Sequence, residues 1–441
     1  MSDSPRPVRK HLNADALLDT LRRRFATLPD TRVQPTCSLA DALMSGFAVF
    51  ALKDPSLLAF DKRRQEPNSN LHTVYGIGQV PCDSQLRAIL DPVDPELLRP
   101  CFTDIFRHLQ RGKALEALAF LDGRYLLSFD GSGYFSSQKI HCPHCLEKRQ
   151  RDGTVTYHHQ LLAAVLVHPD FREVIPLMPA PILKQDGETK NDCERNAAKR
   201  FFAAFRRDHP SLAVIATGDG LTANAPLIRL LNGHDIRYIL GVKPGDHVFL
   251  FQKMATAFAA GQSQSVTWSD AASNTIYHFR WLNQVPVNEA NPDVLVNLLE
   301  YWEIRDGAVT FHGSWVTDLE LHEPTVWLIM RGGRARWKIE NETFNTLKNQ
   351  GYQFEHNFGH GEQHLSVVFG MLMLLAFLSD QTQQLCCTLF RAVWAKAGSK
   401  RQLWDEMRHL FHSFAFTSMR ELYEAMLRGF AKQKPVLLDD S

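Results

Sequence analysis

Two aspartates, Asp130 and Asp219, each close an apolar, strand-like run and each directly precede a glycine. An Asp-Gly pair after a strand is by itself a turn. Two of them on strands that can lie side by side carry more, because ligands of α/β sheets gather at the carboxyl ends of strands. Glu340 is the third acid. Counting ~100° per residue from Trp337, Phe344 falls near about −20°, Leu347 near about −80° and Glu340 near about −60°, which places Glu340 inside the apolar stripe of its helix. Glu342, at roughly 140°, falls on the opposite, solvated face. A carboxylate on a core-facing stripe is costly unless paired or metal-bound. Arg336, at about −100°, offers the pairing alternative, a buried Arg336–Glu340 ion pair. The other alternative points Glu340 across the sheet end toward Asp130 and Asp219. Three such carboxylates suit Mg²⁺ or Mn²⁺, hard cations that keep exchangeable waters. Two of these ions would activate an attacking hydroxyl or water and stabilise the leaving oxygen, a chemistry suited to cutting or joining nucleic-acid strands.

Further groups have ligand character. His141-Cys142-Pro143-His144-Cys145 is a knuckle-like turn with one Cys-x2-Cys pair. A structural zinc site needs four ligands, so Cys142 and Cys145 would require partners from His141, His144, His158, His159 or Cys193; the plainer reading is reduced thiols in a loop. His356, His360 and His364 recur at helical spacing, but Gly359 and Gly361 weaken such a helix, and solvated or DNA-facing histidines are the simpler expectation. Lys243, Arg334 and Arg336 have the charge to contact phosphates, with exposed solubilising charge as the alternative for Lys243. Five of the eight tryptophans, Trp268, Trp281, Trp302, Trp315 and Trp327, fall in one segment. Packing explains most of them, although one could stack on an extruded base.

The pattern also sets the elements that must position these residues. Residues 1–115 read as helices: Ser38 and Asp41 resemble a capping box before the stripe Leu39, Leu43, Phe47 and Phe50. The basic clusters Arg22–Arg24 and Lys62–Arg64 are solvated helix faces or a phosphate-gripping arm. Residues 116–244 read as strands Arg124–Asp130, Tyr134–Ile140 and His159–Val167, with Glu173–Leu177 an edge piece. A helix comes next, capped by Asp192 and striped with Ala197, Phe201, Phe202 and Phe205. Strand Leu212–Thr217, helix Ala225–Leu231 and strand Ile236–Val242 complete an α/β order with a mixed sheet. Residues 245–330 are β-rich, with alternation over Thr275–Trp281 and Thr310–Val316; helix resumes from about 334, and residues 366–441 are helical.

The chain has 441 residues, 44% hydrophobic and 22% charged, with 49 basic against 48 acidic side chains. That composition excludes a disordered, fibrous or disulfide-stapled protein, and the net charge of +1 gives no general attraction to polyanions. The longest lipid-like run, Val367–Leu378, is short of the ~20 residues of a membrane span, and MSDSPRPVRK has no apolar signal core. With eight cysteines, two of them adjacent, the expectation is a reduced, cytoplasmic protein.

Three strands, a helix, a strand ending in Asp, a helix, a strand and a Glu-bearing helix together resemble an RNase H-like catalytic core. Phe129–Phe135, FDGSGYF, would hold the first Asp. The segment Arg334–Lys348, RARWKIENETFNTLK, resembles the Arg-x3-Glu helix signature of bacterial insertion-sequence DDE transposases through Arg336 and Glu340. The long gap between Asp219 and Glu340 is similar to the subgroup with a β-rich insertion before the catalytic Glu. The resemblance implies an α/β fold: an RNase H-like mixed sheet at 116–244, the insertion at 245–330, the Glu-bearing helix at 331–365, and helical flanks at 1–115 and 366–441. It implies that Asp130, Asp219 and Glu340 are catalytic residues that bind Mg²⁺ or Mn²⁺. Arg334, Arg336, Lys348 and Lys243 would bind DNA. The implied activity is metal-dependent cleavage at element ends and strand transfer into target DNA, by a homodimer when DNA-bound and with no membrane. Two positions depart from the family pattern: Gly333 stands where a tyrosine is usual, and Leu347 where a lysine is, with Lys348 one residue later. The alternatives are a non-catalytic DNA-binding protein that keeps the fold and a metal-dependent nuclease without strand transfer.

Overall fold

In the computed structural model, which describes residues 10–66, 69–184 and 193–428, the first strand is longer than its Asp-Gly sequence predicts. β1 runs unbroken over Tyr125–Ser137, so the two expected strands 124–130 and 134–140 are one, irregular between Tyr134 and Ser137. Gly131 does not turn the chain because both its neighbours are already paired: Asp130 lies opposite Ala163 and Gly131 opposite Leu162 on antiparallel β3, Val155–His168. β2 (Leu146–Arg149), β4 (Phe171–Pro176) and β5 (Ala180–Ile182) also pair with β3.

On the other side of β1 the pairing becomes parallel. β6 (Val214–Gly218) lies along β1 and β7 (Arg237–Gly241) lies along β6. Parallel neighbours need a crossover. Here α7 (Glu194–Asp208) and α8 (Ala225–Gly233) supply it, α7 burying the expected stripe Ala197, Phe201, Phe202 and Phe205. Asp192 lies outside the described residues, and Cys193 occupies the cap position.

The β-rich segment does not stand apart from this sheet. It opens with a helix the sequence pattern does not reveal, α9 (Val248–Ala259), then continues through β8 (Gln264–Asp270), β9 (Thr275–Asn288), β10 (Asn291–Arg305) and β11 (Ala308–Thr317). β11 pairs antiparallel with β7, giving one mixed sheet in the order β2-β3-β1-β6-β7-β11-β10-β9-β8. Trp281 and Trp315 are buried, and Trp268 and Trp327 pack partly buried against the core, as the packing alternative expects.

Helix resumes at Glu323, ahead of the expected 334: α10 spans Glu323–Ala335, a π-helical turn covers Ile339–Phe344, and α11 is Asn345–Asn349. The N-terminal helices α1 (Ala14–Phe25), α2 (Leu39–Ala51), α3 (Leu57–Arg64), α4 (Asn70–Thr73), α5 (Asp83–Leu90) and α6 (Arg99–Arg111) pack with the C-terminal helices α12 (Leu365–Cys386), α13 (Thr388–Ala397), α14 (Lys400–Ser413) and α15 (Met419–Arg428). The two expected helical flanks therefore form one layer around α12. That helix is long and apolar enough to cross a membrane, yet its most apolar stretch is wholly buried inside the protein.

Ser38 caps α2 through Asp41 N–H, but the Asp41 carboxylate accepts from Gly78 and Gln79 instead of completing a capping box. The basic clusters are largely spent on ion pairs: Arg24 with Asp104 at 2.6 Å, Arg63 with Asp54 at 2.7 Å, Arg64 with Asp61 at 2.9 Å. That favours the structural reading of those clusters over a phosphate-gripping arm.

Candidate active site

Register places the two aspartates. The last parallel pair between β1 and β6 is Ser128 with Thr217, and two residues farther along each chain stand Asp130 and Asp219. Asp219 therefore just follows the carboxyl end of β6, level with Asp130, which lies within β1 where its parallel pairing to β6 stops. Asp219 Oδ1 accepts from Leu221 N–H at 3.1 Å, and Asp130 Oδ1 from Gly131 N–H at 2.8 Å.

A third acid, not singled out by sequence, completes this group. Glu194 opens α7, and its carboxylate lies so close to β1 that a Cβ on Gly131 would fall 2.1 Å from Glu194 Oε1. Only glycine at 131 leaves room for it. Gln160 on β3 donates to that same oxygen at 2.9 Å. Burial, with the charges of Glu194 and Asp219 adding to it, pushes the Asp130 carboxyl up to about 6. Burial and the Asp219 charge likewise raise Glu194. A glutamate in the first turn of a helix reads as an ordinary helix-dipole residue; only its placement against Gly131 shows otherwise.

The segment bearing Glu340 is tied to this place by its backbone. Ser128, fully buried on β1, donates its hydroxyl to the carbonyl of Arg336 at 3.0 Å. Arg336 then reaches both ways, with Nη2 2.7 Å from Glu340 Oε1 and Nη1 3.8 Å from Asp130 Oδ2. Glu340 and Asp130 thus share one guanidinium, while Asp219 faces Asp130 from the neighbouring strand. The expected Arg336–Glu340 pair exists, but it is not buried: the Glu340 side chain is 51% exposed.

This corrects the placement of Glu340 on an apolar stripe. The count of ~100° per residue assumes an unbroken α-helix, whereas α10 ends at Ala335 and the chain continues in a π turn from Ile339. The phase slips: Trp337, the assumed centre of the stripe, is exposed, and Lys338 and Ile339 are buried in its place. π turns of this kind recur at functional sites.

The remaining basic residues are spread along the chain. Arg334 pairs with Glu303 at 3.1 Å and lies over the Phe311 ring. Lys348 pairs with Glu355 at 2.9 Å. Lys243 is exposed after β7. Gly333 has a packing reason: a Cβ there would fall 2.3 Å from the Trp315 indole nitrogen, so the helix lies against the sheet only without a side chain. Beside this helix Tyr277, Tyr301, Trp327, Trp337, Arg331 and Arg334 line an open cleft of about 310 Å³.

The histidines fall elsewhere. Residues 353–361 form no helix, so His356, His360 and His364 share no helix face. His356 packs on Phe358, His364 sits at the start of α12, and His360 is buried beside Cys145.

No known family model matches the chain. No curated protein matches it in sequence. Among solved structures, it is similar to a cryo-EM structure of the piggyBac transposase synaptic complex with hairpin DNA, at 12% identity and a TM-score of 0.40, over 98% of this chain and 85% of that one. A likeness at that level carries no argument about function, which rests on the site alone.

Proposed function

We propose that the chain is a DNA transposase of the insertion-sequence DDE type, cutting element ends and joining them to target DNA, with Asp130, Asp219 and Glu340 as its catalytic acids. The observation that carries this reading is the register: two aspartates level with one another where the parallel pairing of β1 and β6 ends, with the Glu340 segment tied to β1 through Ser128. The element order supports an RNase H-like core: three antiparallel strands, then helix, strand, helix, strand, and after the insertion the Glu-bearing helix.

The donor set fits a hard divalent cation. Its groups are carboxylates, and burial, with the charges of Glu194 and Asp219 adding to it, already raises the Asp130 carboxyl. Mg²⁺ or Mn²⁺ held by Asp130, Asp219 and Glu340 would supply an activated water or hydroxyl and neutralise charge on the phosphate. Glu340 must leave Arg336 to join such a site. A half-exposed ion pair of this kind is worth only about 0.5 kcal/mol, so the exchange is cheap. Arg336, once released, has the planar fork to hold a phosphate in its stead. A DNA-bound homodimer belongs to the same proposal.

The test is to incubate the protein with Mg²⁺ and labelled DNA taken from the two flanks of its gene, and to compare it with Asp130→Ala, Asp219→Ala and Glu340→Ala. Loss of several kcal/mol of transition-state stabilisation predicts a fall of about 10³-fold in cleavage for each. Equal cleavage by all four proteins would remove these acids from the mechanism. One observation favours a second reading, a DNA-binding protein that keeps the fold without catalysis: Glu340 is engaged by Arg336 and not turned to the aspartates. Sequence-specific binding without divalent metal, and no nicking under any condition, would establish it.

A further inference from the structure

The turn between β1 and β2 carries Cys142 and Cys145, both buried, their sulfurs 3.6 Å apart. That separation is far beyond a disulfide bond of ~2.05 Å. Two imidazoles face the pair. His159, on β3 and 1% exposed, brings Nε2 to 3.5 Å from Cys142 Sγ and 3.4 Å from Cys145 Sγ. His360, 2% exposed, arrives from the segment after the Glu340 helix and places Nδ1 2.9 Å from Cys145 Sγ. One ligand atom from each of the four residues lies within 4.8 Å of all the others.

We propose that Cys142, Cys145, His159 and His360 form a structural Zn²⁺ site. The chemistry selects the ion: two thiolates and two imidazoles in a closed, buried set are the tetrahedral donors of structural zinc. The dimensions agree. With Zn–S near ~2.3 Å and Zn–N near ~2.0–2.1 Å, a tetrahedron puts sulfurs about 3.8 Å apart and sulfur and nitrogen about 3.6 Å apart. The Cys–Cys and Cys–His159 separations fall within a few tenths of an ångström of those edges, while the 2.9 Å from Cys145 to His360 is shorter and would lengthen as the ion enters.

The surroundings are built for the same purpose. Ser366 Oγ, on α12, lies 3.1 Å from His159 Nδ1 and can accept its proton in a hydrogen bond, which leaves Nε2 free to ligate. Cys142 N–H points at Cys145 Sγ, 3.3 Å away, which favours a thiolate there. Without an ion, two thiols and two imidazoles sit together out of water, and His360 Nε2 has no hydrogen-bond partner among the described residues.

The site joins pieces of chain that are otherwise far apart. Cys145 and His360 are 215 residues apart, and the ion would clamp the chain returning from the Glu340 segment onto β1 and β3. His159 pairs in register with Tyr134, on the same strand as Asp130. The clamp therefore sets how the Glu340 segment sits against the strand that carries the first aspartate. The proposal does not depend on the transposase reading.

The experiment uses the full chain purified without chelator. Elemental analysis should find about one zinc per chain. Replacement by Co²⁺ should give the intense visible bands of a tetrahedral site together with thiolate-to-cobalt charge transfer. His360→Cys should keep the metal and strengthen the charge-transfer band by adding a third thiolate. His360→Ala should lower zinc content at least about tenfold at micromolar free metal. A wild-type chain with no zinc and no tetrahedral cobalt spectrum would overturn the proposal, as would a cobalt spectrum unchanged in both His360 variants. None of these readings involves DNA cleavage, so failure here and failure of the transposase reading are separate results.

Discussion

Asp130→Asn should make this protein more stable at neutral pH while disabling its proposed chemistry. Burial, with Glu194 and Asp219 nearby, pushes the Asp130 carboxyl from its ordinary 3.8 up to about 6. An acid whose folded value is raised binds its proton more tightly in the folded state. Folding is therefore penalised as pH rises above 3.8, and the penalty is complete once pH is well above about 6. At 1.36 kcal/mol per pKa unit, the penalty is about 3 kcal/mol at about pH 8 and about 1 kcal/mol at about pH 4.5. Unfolding entropy of about 2.1 cal/mol/K per residue gives this chain about 0.9 kcal/mol/K, so a neutral amide at 130 should raise Tm by about 3 °C at the higher pH and about 1 °C at the lower. The assay is thermal unfolding of wild type and Asp130→Asn in the presence of chelator at both pH values. Added Mg²⁺ should close the gap by stabilising only the wild type, by about 2.7 kcal/mol at a hundred times its Kd. A variant no more stable than wild type at about pH 8, or a gain that does not change with pH, would refute the claim that burial and the neighbouring acids penalise the ionised Asp130.

Glu194→Gln removes one of the charges facing Asp130 and should lower the Asp130 carboxyl below about 6, read by carbon NMR of the labelled carboxyl across pH; an unchanged midpoint would place Glu194 outside the cluster. Asp380→Ala strips the buried partner of Lys53, whose Nζ lies 2.6 Å from Asp380 Oδ2 under the Trp404 ring. It should cost about 3–5 kcal/mol in urea unfolding, whereas a loss under about 1 kcal/mol would show the lysine already neutral or hydrated. Asp91→Ala should cost about 1–2 kcal/mol by the same assay, since its carboxylate accepts from the backbone N–H groups of Glu362, Gln363, His364 and Leu365 and so caps α12 from the residue that follows α5. Unchanged stability would mean that water satisfies those donors equally well.

The range of the forces involved decides which features the sequence discloses and which it hides. Asp130 and Asp219 are legible because strand pattern is local, and their level placement comes with the parallel pairing of two strands. That β1 continues through Gly131 is not legible: an Asp-Gly pair turns a chain that has no partner, and the partner, β3, is fixed by residues some thirty positions on. The phase of Glu340 is lost to a π turn, which no count at a fixed ~100° per residue detects. His360 escapes because its spacing from His356 and His364 points to a helix, while the group it actually meets lies in a turn before β2. Glu194 escapes because its significance rests on a missing side chain at position 131, across the sheet from its own helix. Apart from the π turn, the lost information in these cases concerns a contact between distant segments. The two clusters also differ in what holds them. The two aspartates are held level by strand register, and burial with the neighbouring acidic charges makes the ionised Asp130 costly, so a cation would stabilise them at neutral pH. The cysteines and histidines lie near tetrahedral spacing without strong charge. The sulfur site is therefore suited to keep its ion as part of the fold, and the oxygen site to exchange ions and ligands as it works.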